Sequence, residues 1–232
     1  MEPAVSNIIP HTQITRQEPQ TMKNLFNLDN PVFQFLTRIA DLVICHFLCL
    51  FCCLPIVTAG ASFTALAKTV QGITRQEMVA GTSRTFLRAF RDNFKQATLV
   101  WLCALLAFAA IACDYSLMKL FVAGTMFTVL TVLLVLLLFL VLSVLAYIFP
   151  LMARYENTLR EHLQNAIILA ISKLPKTILM VFVHVAPILL ALFFVDIFVY
   201  TMPFWIFIGF GFSAQVDAML LNPVFQKLEE EE

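Results

Sequence analysis

Residues 120–150 carry no charged side chain, and across 129–142 only Thr131 and Phe139 interrupt an aliphatic run. About 20 apolar residues cross the hydrocarbon core of a bilayer. In lipid such a segment must be helical, because no water is present to satisfy a bare N–H or C=O. Four further apolar runs, at 39–57, 97–118, 177–200 and 204–221, have the length to cross as well. Composition agrees: 60% of the chain is hydrophobic and 13% charged, against about 45–50% and a quarter in soluble domains. The reading is an all-α membrane protein with about five transmembrane helices, its first partner the lipid bilayer. Three parts are expected: a disordered extension at 1–22, one helical membrane domain at 23–222, and an acidic tail at 223–232.

Charge sets the expected orientation. Ten of the fifteen lysines and arginines lie in two connectors, six in 61–96 and four in 151–176. Basic residues in short loops collect on the cytoplasmic side. Five alternating spans then place the C-terminus in the cytoplasm and the N-terminus outside. If 55–60 instead turns the chain back as a re-entrant hairpin, the N-terminus stays inside as well. An apolar run followed by Ala59-Gly60-Ala61 resembles a signal-peptide cleavage site. The long segment before it and the basic connector after it argue for retention. Very short turns are expected at 114–119 and 201–203, the latter around Met202-Pro203.

Within 61–96, Thr82 or Ser83 can open a helix. Phe86, Phe90 and Phe94 repeat every fourth residue, with Arg84, Arg88, Arg91 and Lys95 on the opposite side. This is a basic amphipathic cytoplasmic helix, and two readings of it stand together. It lies in the headgroup plane, or it is a connector whose aromatics pack on the bundle. The four cations are the candidate contact for lipid or for a partner, such as a membrane transporter or sensor. Nothing in the charge pattern points to a nucleic acid.

Polar groups inside the spans are the other candidates. Gln34, Arg38, Asp41 and Cys45 share one face of the first helix. Arg38 and Asp41 are close enough to pair. His46 and His184 lie deepest among the ionisable groups. An intramembrane polar site built from Arg38, Asp41, His46 and His184 is therefore a candidate, weighed against ordinary interhelical hydrogen bonds. Asp196 and Asp217 sit near span ends and read as anchors. Pro187 should kink the fourth span, and Gly209 and Gly211 permit close helix approach in the fifth. Cys45, Cys49 and Cys52 share a face, but one apolar helix cannot wrap four ligands round a zinc ion. The cysteines read as packing residues. No cofactor and no metal is expected. The chain holds no G-x-S-x-G, no glycine-rich phosphate loop and no H-E-x-x-H, so nothing argues for an enzyme.

Three stretches, NLDNPVFQFLTRIADLVI at 27–44, LPIVTAGASFTAL at 54–66 and FLRAFRDNFKQATLVW at 86–101, resemble the YesL family of small bacterial integral membrane proteins. The likeness runs from about Met22 to about residue 220 and is specific in the first hundred residues. It leaves 1–21 as an extension, and the cysteine-rich first span departs from the family pattern. The family has no agreed active site, so it lends no functional residue. Its genes commonly neighbour those for carbohydrate uptake. The resemblance thus implies an accessory or scaffold role in sugar import. The alternative from the residues is a small transporter or channel with a polar site near the first and fourth spans.

Overall fold

The computed structural model describes residues 31–77 and 80–230. The expected tail at 1–22 and the Asn30 cap lie outside them. Contacts divide the chain after Arg38. The described part of the first unit is the opening of one helix, and the second unit holds everything else.

Among the described residues seven α-helices follow one another: α1 (Pro31–Cys53), α2 (Ala59–Arg75), α3 (Thr82–Phe121), α4 (Thr125–Arg154), α5 (Leu159–Ser172), α6 (Leu174–Phe193) and α7 (Val195–Glu230). A 3-10 turn, Ile56–Thr58, joins α1 to α2. No strand occurs among the described residues. Five helices, α1, α3, α4, α6 and α7, are long and apolar enough to cross a membrane. Many large apolar side chains face outward, with Leu106 72% and Phe121 81% exposed. Such a surface is stable only in lipid. The chain is a multi-pass membrane protein.

The stretch expected as the first connector holds the most enclosed helix of the bundle. In α2, eleven of seventeen residues are buried. Its N-terminal end is built of small residues, Ala59, Gly60, Ala61 and Ser62, and these let a neighbour come close. A Cβ on Gly60 would lie 2.6 Å from Trp101 Cβ and collide with the Ala97 carbonyl. Trp101 Nε1 donates to the Ile56 carbonyl at 2.7 Å, tying the α1–α2 turn to the middle of α3. Thr58 Oγ1 caps the Cys52 carbonyl at 2.6 Å, so α1 reverses directly into α2. At the other end of this hairpin Thr82 Oγ1 donates to Asp41 Oδ1 at 2.5 Å. The chain therefore does turn back near Pro55.

The basic segment is helical, as expected, and runs unbroken into the second span. α3 has forty residues and is roughly 60 Å long, about twice the ~30 Å hydrocarbon core. Phe86 is fully buried and Phe90 packs against the core, so the connector reading of these aromatics holds for them. Phe94 is 37% exposed.

Two expected turns move. Asp114 and Lys119 continue α3, with Lys119 Nζ 4.7 Å from the Tyr115 ring. The chain reverses at 122–124, where Gly124 takes φ +67, a conformation glycine adopts without penalty. The second turn lies at Phe194 and not at 201–203. Pro203 stays inside α7, where it removes a single backbone donor. Residues 223–230, expected as a tail, continue α7, with Val224 and Phe225 buried. The end of that helix is clamped: Arg154 Nε and Nη2 each donate at 2.8 Å to Glu229.

Burial is uneven along the bundle. Every buried residue of α3 precedes residue 105, and every buried residue of α4 follows 142. Those of α6 are Thr177, Met180 and Val181, and those of α7 start at Gly209. At this packed end Tyr147 Oη lies 3.0 Å from Thr177 Oγ1, which also donates to the Ala170 carbonyl at 2.9 Å. That cluster joins α4, α5 and α6.

The α2–α3 crossing yields a test. Gly60→Ala should destabilise the protein by about 1–3 kcal/mol through overpacking, read as a fall in thermal midpoint in detergent micelles. Gly124→Ala meets open space, and should lose about 1–3 kcal/mol through backbone strain alone.

Candidate functional site

Where α2, α3, α4, α6 and α7 meet, a cavity of ≈ 220 Å³ lies among Phe63, Trp101, Phe149 and Phe210. Phe63 makes ring contacts with the other three, at centroid distances of 5.6–5.9 Å. Four polar side chains enter this aromatic lining: Gln71, His184, Ser213 and Asp217. Asp217 is 7% exposed. Its Oδ2 is 3.4 Å from His184 Nε2, and its Oδ1 has no hydrogen-bond partner. A buried polar atom without a partner is rare and needs a reason.

The proton count follows from the bonds. His184 Nδ1 lies 2.8 Å from the Met180 carbonyl. A carbonyl only accepts, so the Nδ1 proton is committed there. Nε2 faces the carboxylate at 3.4 Å, and in the empty site one proton between them lets the two groups attract. Either the pair is imidazolium and carboxylate, or it is imidazole and carboxylic acid. Both states leave the site neutral.

Gln71 stands between two spaces. Its Nε2 donates to the Pro150 carbonyl at 3.3 Å. On one side it lines the cavity, and on the other it lines a wide polar groove of ≈ 900 Å³. That groove includes Lys68, Arg75, Arg84, Arg88, Arg154 and His162. Its charge is nearly balanced: Arg75 pairs with Glu77 at 2.9 Å, and Arg154 with Glu229 at 2.8 Å. Arg88 lies 3.7 Å from Asp92, with both side chains exposed.

The expected basic stripe is thus divided. Arg84 and Arg88 border the groove, whereas Arg91 and Lys95 flank a shallower hollow with Phe90 and Phe94.

The expected intramembrane site is not one site. Arg38 is exposed, and Asp41 serves Thr82. His184 meets Asp217, a residue read from the sequence as an anchor near a span end. The span end alone hid this, because the partner lies on a different helix. His46 has a separate task. Its Nδ1 accepts from the Phe210 N–H at 3.1 Å, and its Nε2 donates to the Ile206 carbonyl at 2.7 Å. These two backbone groups are an i, i+4 pair that a regular helix joins to each other. The imidazole is inserted between them as a splint, in its neutral Nε2–H form. Gly211 makes room, since a Cβ there would lie 2.9 Å from the Leu42 carbonyl.

Cys45 and Cys49 are buried among Ala65, Leu66 and Val70, in apolar packing. Cys49 Sγ and Cys53 Sγ are 3.9 Å apart, and all six thiols are free.

Near the groove, Thr158 and Glu161 form a reciprocal cap at the start of α5. The Thr158 N–H holds the Glu161 carboxyl below its usual range. Next to it His162 is 1% exposed, and its Nδ1 has no partner. Burial lowers its pKa, with the Glu161 charge opposing.

Two outcomes follow. His46→Phe keeps the ring and removes both bonds, and should cost about 1–3 kcal/mol in chemical unfolding. His162 is neutral in the fold and gains a proton more easily when unfolded. Its contribution is therefore complete above the unfolded pKa of about 6.5 and is lost as pH falls below it. The thermal midpoint should drop on acidification, and His162→Phe should flatten that slope.

Comparison with known proteins adds one likeness. No curated protein and no solved structure matches the chain. Residues 39–115 match a family model described as "Protein of unknown function, DUF624". The matched stretch runs from Ile39 in α1 through α2 and most of α3. It contains the Gly60 crossing and six cavity residues, Phe63, Leu66, Ala67, Gln71, Trp101 and Phe108, and it ends before His184 and Asp217.

Proposed function

We propose that this chain is a small membrane transport protein that receives a solute in the aromatic cavity at His184 and Asp217. It catalyses no reaction in this reading. The observation that carries the proposal is Asp217 Oδ1, a buried acceptor without a donor on the wall of a mostly apolar space. Ligand pockets have this make-up: mostly apolar and aromatic surface with a few converging polar groups. Ionisable groups inside membrane bundles mark solute or proton paths. Gln71, shared between cavity and groove, is where a solute would pass from one to the other. The orientation that belongs with this reading puts the groove and the C-terminus in the cytoplasm, and makes α1 and α2 a re-entrant hairpin.

A second reading rests on the groove itself. Arg84 and Arg88 at its border would dock a partner, such as a transporter or sensor protein, and the chain would be its accessory. The resemblance to the YesL family, with its link to carbohydrate uptake, favours this version.

The first reading is tested in proteoliposomes loaded with small labelled solutes of different charge. Ala214→Phe fills the cavity and should abolish exchange that the unaltered protein supports. Gln71→Ala removes the partition and should raise the exchange rate several-fold. Equal rates for the protein, Ala214→Phe and empty liposomes would reject transport through the cavity. Loss of a co-purifying membrane protein on Arg84→Glu and Arg88→Glu, without loss of exchange, would support the accessory role.

A further inference from the structure

From the donors and acceptors of the cavity wall we infer that its ligand is a small organic ammonium ion, bound in exchange for one proton. This inference rests on the cavity reading and narrows it to a substrate class.

Each side-chain donor group of the lining already serves a protein carbonyl. Trp101 Nε1 donates to Ile56 and Gln71 Nε2 to Pro150. Ser213 Oγ donates to Gly209 at 3.1 Å, and His184 Nδ1 to Met180. What remains open is an acceptor, Asp217 Oδ1. Around it stand the rings of Phe63, Trp101, Phe149 and Phe210, whose faces carry partial negative charge and attract cations. An anion would meet a carboxylate and four π-systems, with no free cation to receive it. A neutral sugar needs several donors and acceptors together, and this wall offers one spare side-chain N–H, the second proton of Gln71 Nε2. An alkylammonium ion supplies N–H donors to Asp217 and apolar C–H surface to the rings.

Charge balance gives the exchange. Of the lining residues only His184 and Asp217 carry ionisable side chains. α2 and α3 contribute no ionisable side chain to the wall, and Tyr147 of α4, outside the lining, is held by Thr177. The His184–Asp217 pair holds one proton and is neutral. The His184 side chain is 42% exposed and Asp217 is buried, so a cation added beside Asp217 in that state leaves a charge uncompensated against an apolar wall, which is costly. Release of the shared proton to water leaves imidazole, carboxylate and ammonium, and the site is neutral again. One positive charge enters and one leaves.

The experiment uses the full chain in lipid nanodiscs. The protein has two tryptophans, Trp101 and Trp205, so Trp205→Phe leaves Trp101, on the cavity wall, as the sole reporter. The probes are butylammonium, 1-butanol of matching size, and glucose. Butylammonium should give a saturable change in Trp101 emission. Its affinity should fall about tenfold per unit as pH is lowered through the range in which proton and cation compete. 1-Butanol and glucose should bind at least about tenfold more weakly, a difference of ~1.4 kcal/mol. Asp217→Asn keeps the shape and removes the charge, and should abolish both the preference and the pH dependence. Folding of that variant is checked by its far-ultraviolet circular dichroism. Asp217→Glu, which restores the charge, should recover ammonium binding if the asparagine variant misfolds. Equal binding of 1-butanol and butylammonium, or pH-independent butylammonium affinity, overturns the cation assignment and leaves the cavity reading standing. A flat response to all three probes, together with unchanged exchange in Ala214→Phe proteoliposomes, overturns both.

Discussion

Gly60 lies against the Ala97 carbonyl, and the packed end of the bundle is organised around that crossing. In lipid there is little hydrophobic drive to bring helices together, so close approach of backbones supplies much of the attraction. Small residues at the start of α2 permit this approach. Trp101, one turn along α3 from Ala97, then reaches over the turn before α2 and holds it by its indole N–H. The ring cluster that walls the cavity is built on the same residue. Position and chemistry thus share one support: a bulkier side chain at residue 60 would displace Trp101 and the cavity wall with it.

A second constraint is that backbone groups in lipid must find partners. α7 contains Pro203 and Pro223 and two nearby glycines, all of which weaken a helical ladder. Side chains from elsewhere repair it. His46 bonds the Ile206 carbonyl and the Phe210 amide. Lys176 Nζ reaches the Leu220 carbonyl at 2.8 Å, three residues before Pro223. The irregular helix is therefore held from α1 and α6, and the segment between these repairs carries Ser213 and Asp217.

Much of the architecture was legible in the sequence, because long apolar runs have few alternatives. The helices at 97–118 and 120–150 were found, and so was the close approach at Gly211, whereas Gly209 meets Trp205 of its own helix. The central helix was not. Residues 59–75 contain Ala, Gly, Ser and Thr in place of Leu and Ile, which lowers their hydropathy while improving their packing. The same residues that hid the helix explain its burial. Turn positions shifted for a related reason: Asp114, Lys119 and Pro203 are common at helix ends but do not enforce one. The His46 and His184 positions were legible, but their partners were not, since Ile206, Phe210 and Asp217 lie on another helix and carry no pattern that links them. The sequence reading placed Arg91 and Lys95 in one stripe with Arg84 and Arg88. The stripe gave no sign that a groove would take two of them and leave two aside.

The distribution of burial along the helices has a mechanical consequence. Interlocked side chains fill one end, from Ala146 to Ala153 in α4 and from Gly209 to Phe225 in α7. Towards residues 105–142 the helices meet lipid more than each other. One end of the molecule is stiff, and the other borrows its rigidity from the surrounding acyl chains. A change in acyl length or in lateral pressure therefore acts on the soft end first. Any strain reaches the aromatic chamber along α3 and α4, which run from the lipid-facing region into its wall.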